Sequence, residues 1–114
     1  MIKPVVVDAD GQFVMCALPA CYRIDLDELR NSLHADRVRI VDEQTLGRLF
    51  PDIELGAEPP IGRLFGLPTV MDDSLSDGGV VTFQAGTHQE SVTMPLAEYR
   101  RITQPEVGHF GRHL

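Results

Sequence analysis

Between Pro51 and Pro68 the chain carries four prolines and three glycines, with Gly56, Pro59, Pro60 and Gly62 crowded together. Proline removes a backbone donor and locks φ, and glycine weakens both helices and strands, so no regular element can run through this stretch. It must be a shaped loop. Connections of this length are commonly functional, which makes this one a candidate binding wall.

The segments around the loop alternate in type. Val5 to Val7 and Phe13 to Leu18 read as apolar, β-branched strands joined by Asp8-Ala9-Asp10-Gly11, a hairpin signal. After Pro19 to Arg23, Asp25 is a good N-cap, and Leu26, Leu29 and Leu33 recur at helical spacing up to His34. Val38 to Val41 reads as a short strand. Asp42 then caps a second helix with Leu46, Leu49 and Phe50 on its apolar face, stopped by Pro51. Beyond the loop, Pro68 to Met71, Val80 to Phe83 and Glu90 to Met94 read as strands, separated by Asp72 to Gly79 and by the Ala85-Gly86-Thr87-His88 turn. Pro95 suits the first turn of a final helix bearing Leu96, Tyr99 and Ile102 on one face. Gln104 to Leu114 is expected to be a partly ordered tail. Short turns between strand pairs, with helices at intervals, predict an α/β (α+β) fold with a mixed, mostly antiparallel sheet and helices packed against it. Pure parallel winding does not fit.

With 114 residues, 43% of them hydrophobic, the chain is expected to form one domain over residues 1–114. Its apolar runs are strand-length, and its first ten residues lack the apolar core of a secretory signal, so a cytoplasmic location without membrane contact is the expectation. A net charge of −7 argues against broad, sequence-independent binding to a nucleic-acid backbone; any RNA contact should be local. Cys16 and Cys21 match neither a redox pair nor a zinc knuckle and are read as reduced, structural thiols. Asp72, Asp73 and Asp77 differ from a calcium loop and read as capping or solvated groups. His109 and His113, four apart among glycines, are assigned no metal. No metal or other cofactor is expected.

Three segments could carry chemistry. Lys3 at the head of a strand is ordinarily a solvated cation, and as a functional group it would face a phosphate or a developing oxyanion. The loop Gly56-Ala57-Glu58-Pro59-Pro60-Ile61-Gly62 is ordinarily a rigid connector, yet a rigid loop can present backbone groups without an ordering cost on binding. In Gly86-Thr87-His88 the imidazole can exchange a proton near neutral pH or simply hydrogen-bond within the turn. No nucleophile elbow, P-loop or dinucleotide fingerprint is present.

Taken together, in order and spacing, these segments resemble the YbaK/EbsC family, related to the inserted editing domain of bacterial prolyl-tRNA synthetase and its free-standing counterparts. The resemblance rests on Lys3 with Val5-Val6-Val7, on Leu18-Pro19-Ala20 before Arg23-Ile24-Asp25-Leu26, and on the helix and loop from Leu46 to Gly62. It continues through Gly66-Leu67-Pro68-Thr69-Val70-Met71-Asp72-Asp73-Ser74-Leu75 and Phe83-Gln84-Ala85-Gly86-Thr87-His88. It implies a barrel-like core flanked by helices and a deacylase acting in trans on the 3′ end of a mischarged tRNA. By that resemblance Lys3 is the functional lysine, and Gly56 to Pro60 is a Gly-x-x-x-Pro loop. Gly56, Ala57, Glu58, Pro59, Pro60, Gly86, Thr87 and His88 would then surround the substrate, with water as the attacker. A synthetase or elongation factor is the implied delivery partner. Relatives carry a helix and a strand ahead of the lysine, whereas here only Met1 and Ile2 precede it, so a homodimer supplying the missing cover is expected. The competing expectation is an inactive module binding an amino-acid-like or nucleotide-like ligand, or a protein partner.

Overall fold

In the computed structural model, which describes residues 1–76 and 78–114, β1 (Ile2–Ala9) and β2 (Gln12–Pro19) form the predicted antiparallel hairpin. Asp10 and Gly11 both take positive φ, the pair that a two-residue turn matching strand twist requires. The Asp10 carboxylate accepts the amides of Asp36 and Arg37 at 2.9 and 2.8 Å, tying the turn to the segment that leads into β4 (Val38–Ile40). Between them lie β3 (Tyr22–Ile24) and α1 (Leu26–Leu33), whose N-cap Asp25 accepts from Glu28 N–H as its sequence position predicts. α2 (Glu43–Leu49) is capped by Asp42 through Thr45 N–H.

Past the loop, β5 (Thr69–Asp72) is buried throughout, and β6 (Val80–Gln84) pairs with β7 (Ser91–Pro95) as an antiparallel hairpin. α3 (Leu96–Thr103) follows β7 without a break. Residues 104–114, expected as a tail, instead carry β8 (Glu106–Gly108) and β9 (Gly111–His113). β8 extends the main sheet beside β5, and β9 pairs with β3. Sequence patterning does not find such strands, because each is three residues long and owes its pairing to distant partners.

The main sheet runs β4-β1-β2-β5-β8, antiparallel through β4, β1 and β2 and parallel from β2 onward. It keeps two edges and does not close into a barrel among the described residues, so the barrel-like expectation gives way to an open mixed sheet with two small ribbons. The β1–β2 ribbon is covered on both faces. Val7, Val14, Cys16 and Leu18 pack with Leu29 and Phe110 on one side. On the other side, Ile2 and Ala17 pack with Ile61, Phe83, Leu96 and Tyr99. The second cluster brings the Gly/Pro loop, β6 and α3 together.

Candidate functional site

The Gly/Pro loop is anchored at its C-terminal end by close backbone packing. Gly62 N–H donates to Thr69 Oγ1 at 2.7 Å, and Leu67 N–H donates to the Gly62 carbonyl at 2.9 Å. A Cβ at Gly62 would stand 2.5 Å from the Leu67 carbonyl oxygen and 2.6 Å from Thr69 Oγ1, so only glycine permits this approach. Pro60 is fully buried, and its carbonyl accepts from the Tyr99 hydroxyl at 2.5 Å. Tyr99 is itself sealed in the core, and burial pushes its phenol far above the ordinary range, so it remains a neutral donor.

The other end is clamped to the β6–β7 turn. Glu54 N–H donates to the Gly86 carbonyl at 3.0 Å, and Gly86 N–H donates to the Ala57 carbonyl at 2.9 Å. His88 N–H donates to the Glu54 carboxylate at 2.9 Å. His88 Nε2 lies 2.8 Å from the Leu55 carbonyl oxygen. Its Nδ1 lies 3.0 Å from Gln84 Oε1. Nε2 thus ties the turn to the loop, and Nδ1 ties the ring to β6.

Within this clamp Ala57 is wholly buried and Glu58 is 3% exposed. Gly56 takes φ +82°, which aims its N–H at Glu58 Oε1 at 3.3 Å. Pro59 is half-buried, and its carbonyl accepts from Ile61 N–H. The Thr87 hydroxyl oxygen is sealed from solvent without a partner among the described residues. The fold thus brings Gly56, Ala57 and Glu58 against Gly86, Thr87 and His88, with Pro59 and Pro60 leading on to Tyr99.

Lys3 stands apart from that group. It is half-buried on β1, in register with Leu18. Cross-strand partners share a face, and Leu18 belongs to the α1-side core, whereas Ile2 and Ala17 face Ile61 and Tyr99. The Lys3 ammonium makes no ion pair or hydrogen bond among the described residues. β4 pairs with β1 only over Val7–Ala9, and among the described residues no strand ladder continues on that side of β1 beside Lys3.

Other acidic and thiol groups take structural positions. Asp72 is buried and accepts from Phe110 N–H at 2.9 Å, from Gly111 N–H at 2.6 Å and from Ser74, capping a short 3-10 turn and holding β9 in place. Asp73 pairs with His109 Nδ1 at 3.0 Å, while Asp77 lies outside the described residues. Cys16 is buried and its thiol is pushed up to about 12 by burial; Cys21 is free and exposed, so the structural reading fits Cys16 alone. A hollow lined by Ala9, Leu33, His34, Pro68 and Glu106, and another lined by Arg23, His109 and Arg112, contain no residue of the loop, the turn or Lys3. Sequence reasoning missed Glu54 and Tyr99 as site-forming residues. Tyr99 was visible only as part of a helical apolar stripe, and nothing in the sequence marks Glu54 as the acceptor for a residue thirty-four positions away.

A family model described as aminoacyl-tRNA editing domain matches residues 1–102. The chain is similar to a solved structure described as a proposed trans-editing enzyme for prolyl-tRNA synthetase, with TM-score 0.83 and 19% identity, over 97% of this chain and 69% of that one. It is similar to a proposed signal-transduction protein from Marinobacter aquaeolei VT8 at TM-score 0.84 and 20% identity, over 96% of this chain and 24% of that one. A scaffold from computational epitope backbone grafting is similar at TM-score 0.85 and 19% identity, over 97% of this chain and 73% of that one. At these identities the three structures speak to fold alone. No curated protein matches the chain significantly. No helix among the described residues is long and apolar enough to cross a membrane.

Proposed function

From the premise that the chain belongs to the aminoacyl-tRNA editing domain family, we propose that it hydrolyses, in trans, the ester of a mischarged tRNA of the prolyl-tRNA type. The observation that carries this reading is the four-bond clamp between Glu54–Ala57 and Gly86–His88, which presets the Gly/Pro loop as one wall of a site. Preset groups act on a reacting ester without reorganisation cost. The Glu58 and Thr87 N–H groups have no acceptor among the described residues, and in this reading they receive the substrate's carbonyl oxygen.

An aminoacyl ester already has an activated carbonyl, so positioning and charge stabilisation can replace a protein nucleophile. Water attacks the carbonyl carbon, and the bond to the 3′ ribose oxygen breaks. The ribose oxygen takes one of the water's protons and becomes the hydroxyl, the other proton passes to solvent, and the amino acid leaves as a carboxylate. In this reading Lys3 supplies the cation for the oxyanion or the terminal phosphate. In the cytoplasm a synthetase or elongation factor would deliver the tRNA end, which suits a chain of net charge −7, and a second copy of the chain would cover the exposed edge.

The placement of Lys3 on the Leu18 face favours a second reading, a module that binds an amino-acid-like or nucleotide-like ligand without turnover. Incubation with a panel of mischarged tRNAs separates the two. Editing predicts deacylation that Lys3→Ala abolishes. Absence of turnover on every member, together with thermal stabilisation by aminoacyl-adenosine analogues, selects the binding module.

A further inference from the structure

Glu58 is the one acidic side chain of the Gly/Pro loop that the fold buries without giving it a strong partner. It is 3% exposed, yet its only hydrogen bond among the described residues is a long one, 3.3 Å, from Gly56 N–H to Oε1. No lysine or arginine pairs with it among the described residues. A carboxylate has about four acceptor positions, so most of this group's capacity is unused. Its second oxygen, Oε2, has no protein partner and is not among the unpartnered atoms sealed from solvent, so the group opens outward through that oxygen.

Desolvating a carboxylate without a counter-charge is costly, and a cation bound there recovers that cost. Neighbouring Glu54 adds a second negative charge, with its Oε2 already occupied by His88 N–H. The loop therefore presents negative charge, unsuited to phosphate and suited to an ammonium. We propose that Glu58 receives the α-ammonium group of the aminoacyl moiety and so selects esters with a free amine over those lacking one. This rests on the proposed editing function and assigns one chemical group of the substrate to one side chain.

The test uses two non-hydrolysable ligands, 3′-alanylamido-adenosine and its 3′-propionylamido counterpart, which differ only in the ammonium. Binding to the full chain is followed by calorimetry. The wild-type protein is expected to bind the alanyl compound at least about tenfold more tightly, the range of a charge-assisted hydrogen bond. Glu58→Gln keeps the shape and the acceptor for Gly56 N–H, so it should fold, and it should bring the two affinities within about twofold by removing only the charge. Equal wild-type affinities overturn the inference without needing any variant, and so does a preference that survives in Glu58→Gln. Binding without preference removes this inference alone. No binding of either compound, with no deacylation of any mischarged tRNA, removes the proposed function along with it.

Discussion

The Tyr99 hydroxyl donates to the Pro60 carbonyl across 2.5 Å of fully buried space, so α3 fixes the middle of a loop thirty-nine residues earlier in the chain. Tyr99→Phe leaves that carbonyl without its partner while keeping the ring's packing against Phe83. Losing a buried hydrogen bond in this way should cost about 1 to 3 kcal/mol in urea unfolding. Amide exchange should rise in residues 54–62 more than in β1 or β2. Uniform exchange across the chain would show that Tyr99 supports the fold at large and not the loop.

Gly62→Ala should be more damaging than its size suggests. The added carbon meets two oxygens, Leu67 O and Thr69 Oγ1, and a hydroxyl rotamer change relieves only one of these contacts. A loss above about 2 kcal/mol is expected. Gly47→Ala, with open space at the same atom, should be neutral or stabilising by about half to one kcal/mol because it lies inside α2.

The Asp72 carboxylate is a hub for the C-terminal strands. Burial pushes its pKa upward, but the Ser74 hydroxyl and the Phe110 and Gly111 amides together outweigh burial and hold it below its ordinary value of 3.8. A carboxyl depressed in the folded state contributes stability that is complete above its ordinary value and disappears as pH falls through the folded value. Asp72→Ala should therefore cost about 2 to 3 kcal/mol at neutral pH by stranding the Phe110 and Gly111 amides. The acid limb of the stability profile should also flatten. An unchanged acid limb would place the titration elsewhere.

His109 titrates in the opposite sense. Its hydrogen bond to Asp73, reinforced by that residue's charge, raises the imidazole above its ordinary value of 6.5. Stability from this pair is present in full below 6.5 and is lost as pH rises through the higher folded value. Imidazole NMR titration should give a raised midpoint in the native protein and an ordinary one in Asp73→Asn. Coincident curves would mean that the pair is not formed in solution.

Several of these relationships could be anticipated from the chain itself, for reasons that are local. Asp25 and Asp42 cap α1 and α2 where their positions ahead of apolar-periodic runs predict, and Asp10-Gly11 makes the hairpin turn its residue types favour. The Gly/Pro loop was legible as a connection because its residues forbid a long helix or strand; the structure fits only a single 3-10 turn, Gly62–Phe65, into it. The clamp was not, since it is made by backbone groups and by Glu54 and His88, whose partnership depends on how two distant segments dock. β8 and β9 were missed for the same reason: three-residue strands gain their order from β5, β3 and the buried Asp72, none of which is near them in sequence. The role of Lys3 rests on resemblance, and the pleat of β1 sets it on the Leu18 side, a consequence of register that composition does not reveal.

Editing by a preset loop with Lys3 as its cation is read out in the release of amino acid from proline-specific tRNA charged with alanine or cysteine. Purified protein should release the amino acid well above the spontaneous rate. Lys3→Ala, folded as judged by its melting curve, should lower that rate by about a hundredfold or more, the scale of losing one oxyanion-stabilising group. Release no faster than spontaneous hydrolysis, or release undiminished in Lys3→Ala, would contradict it.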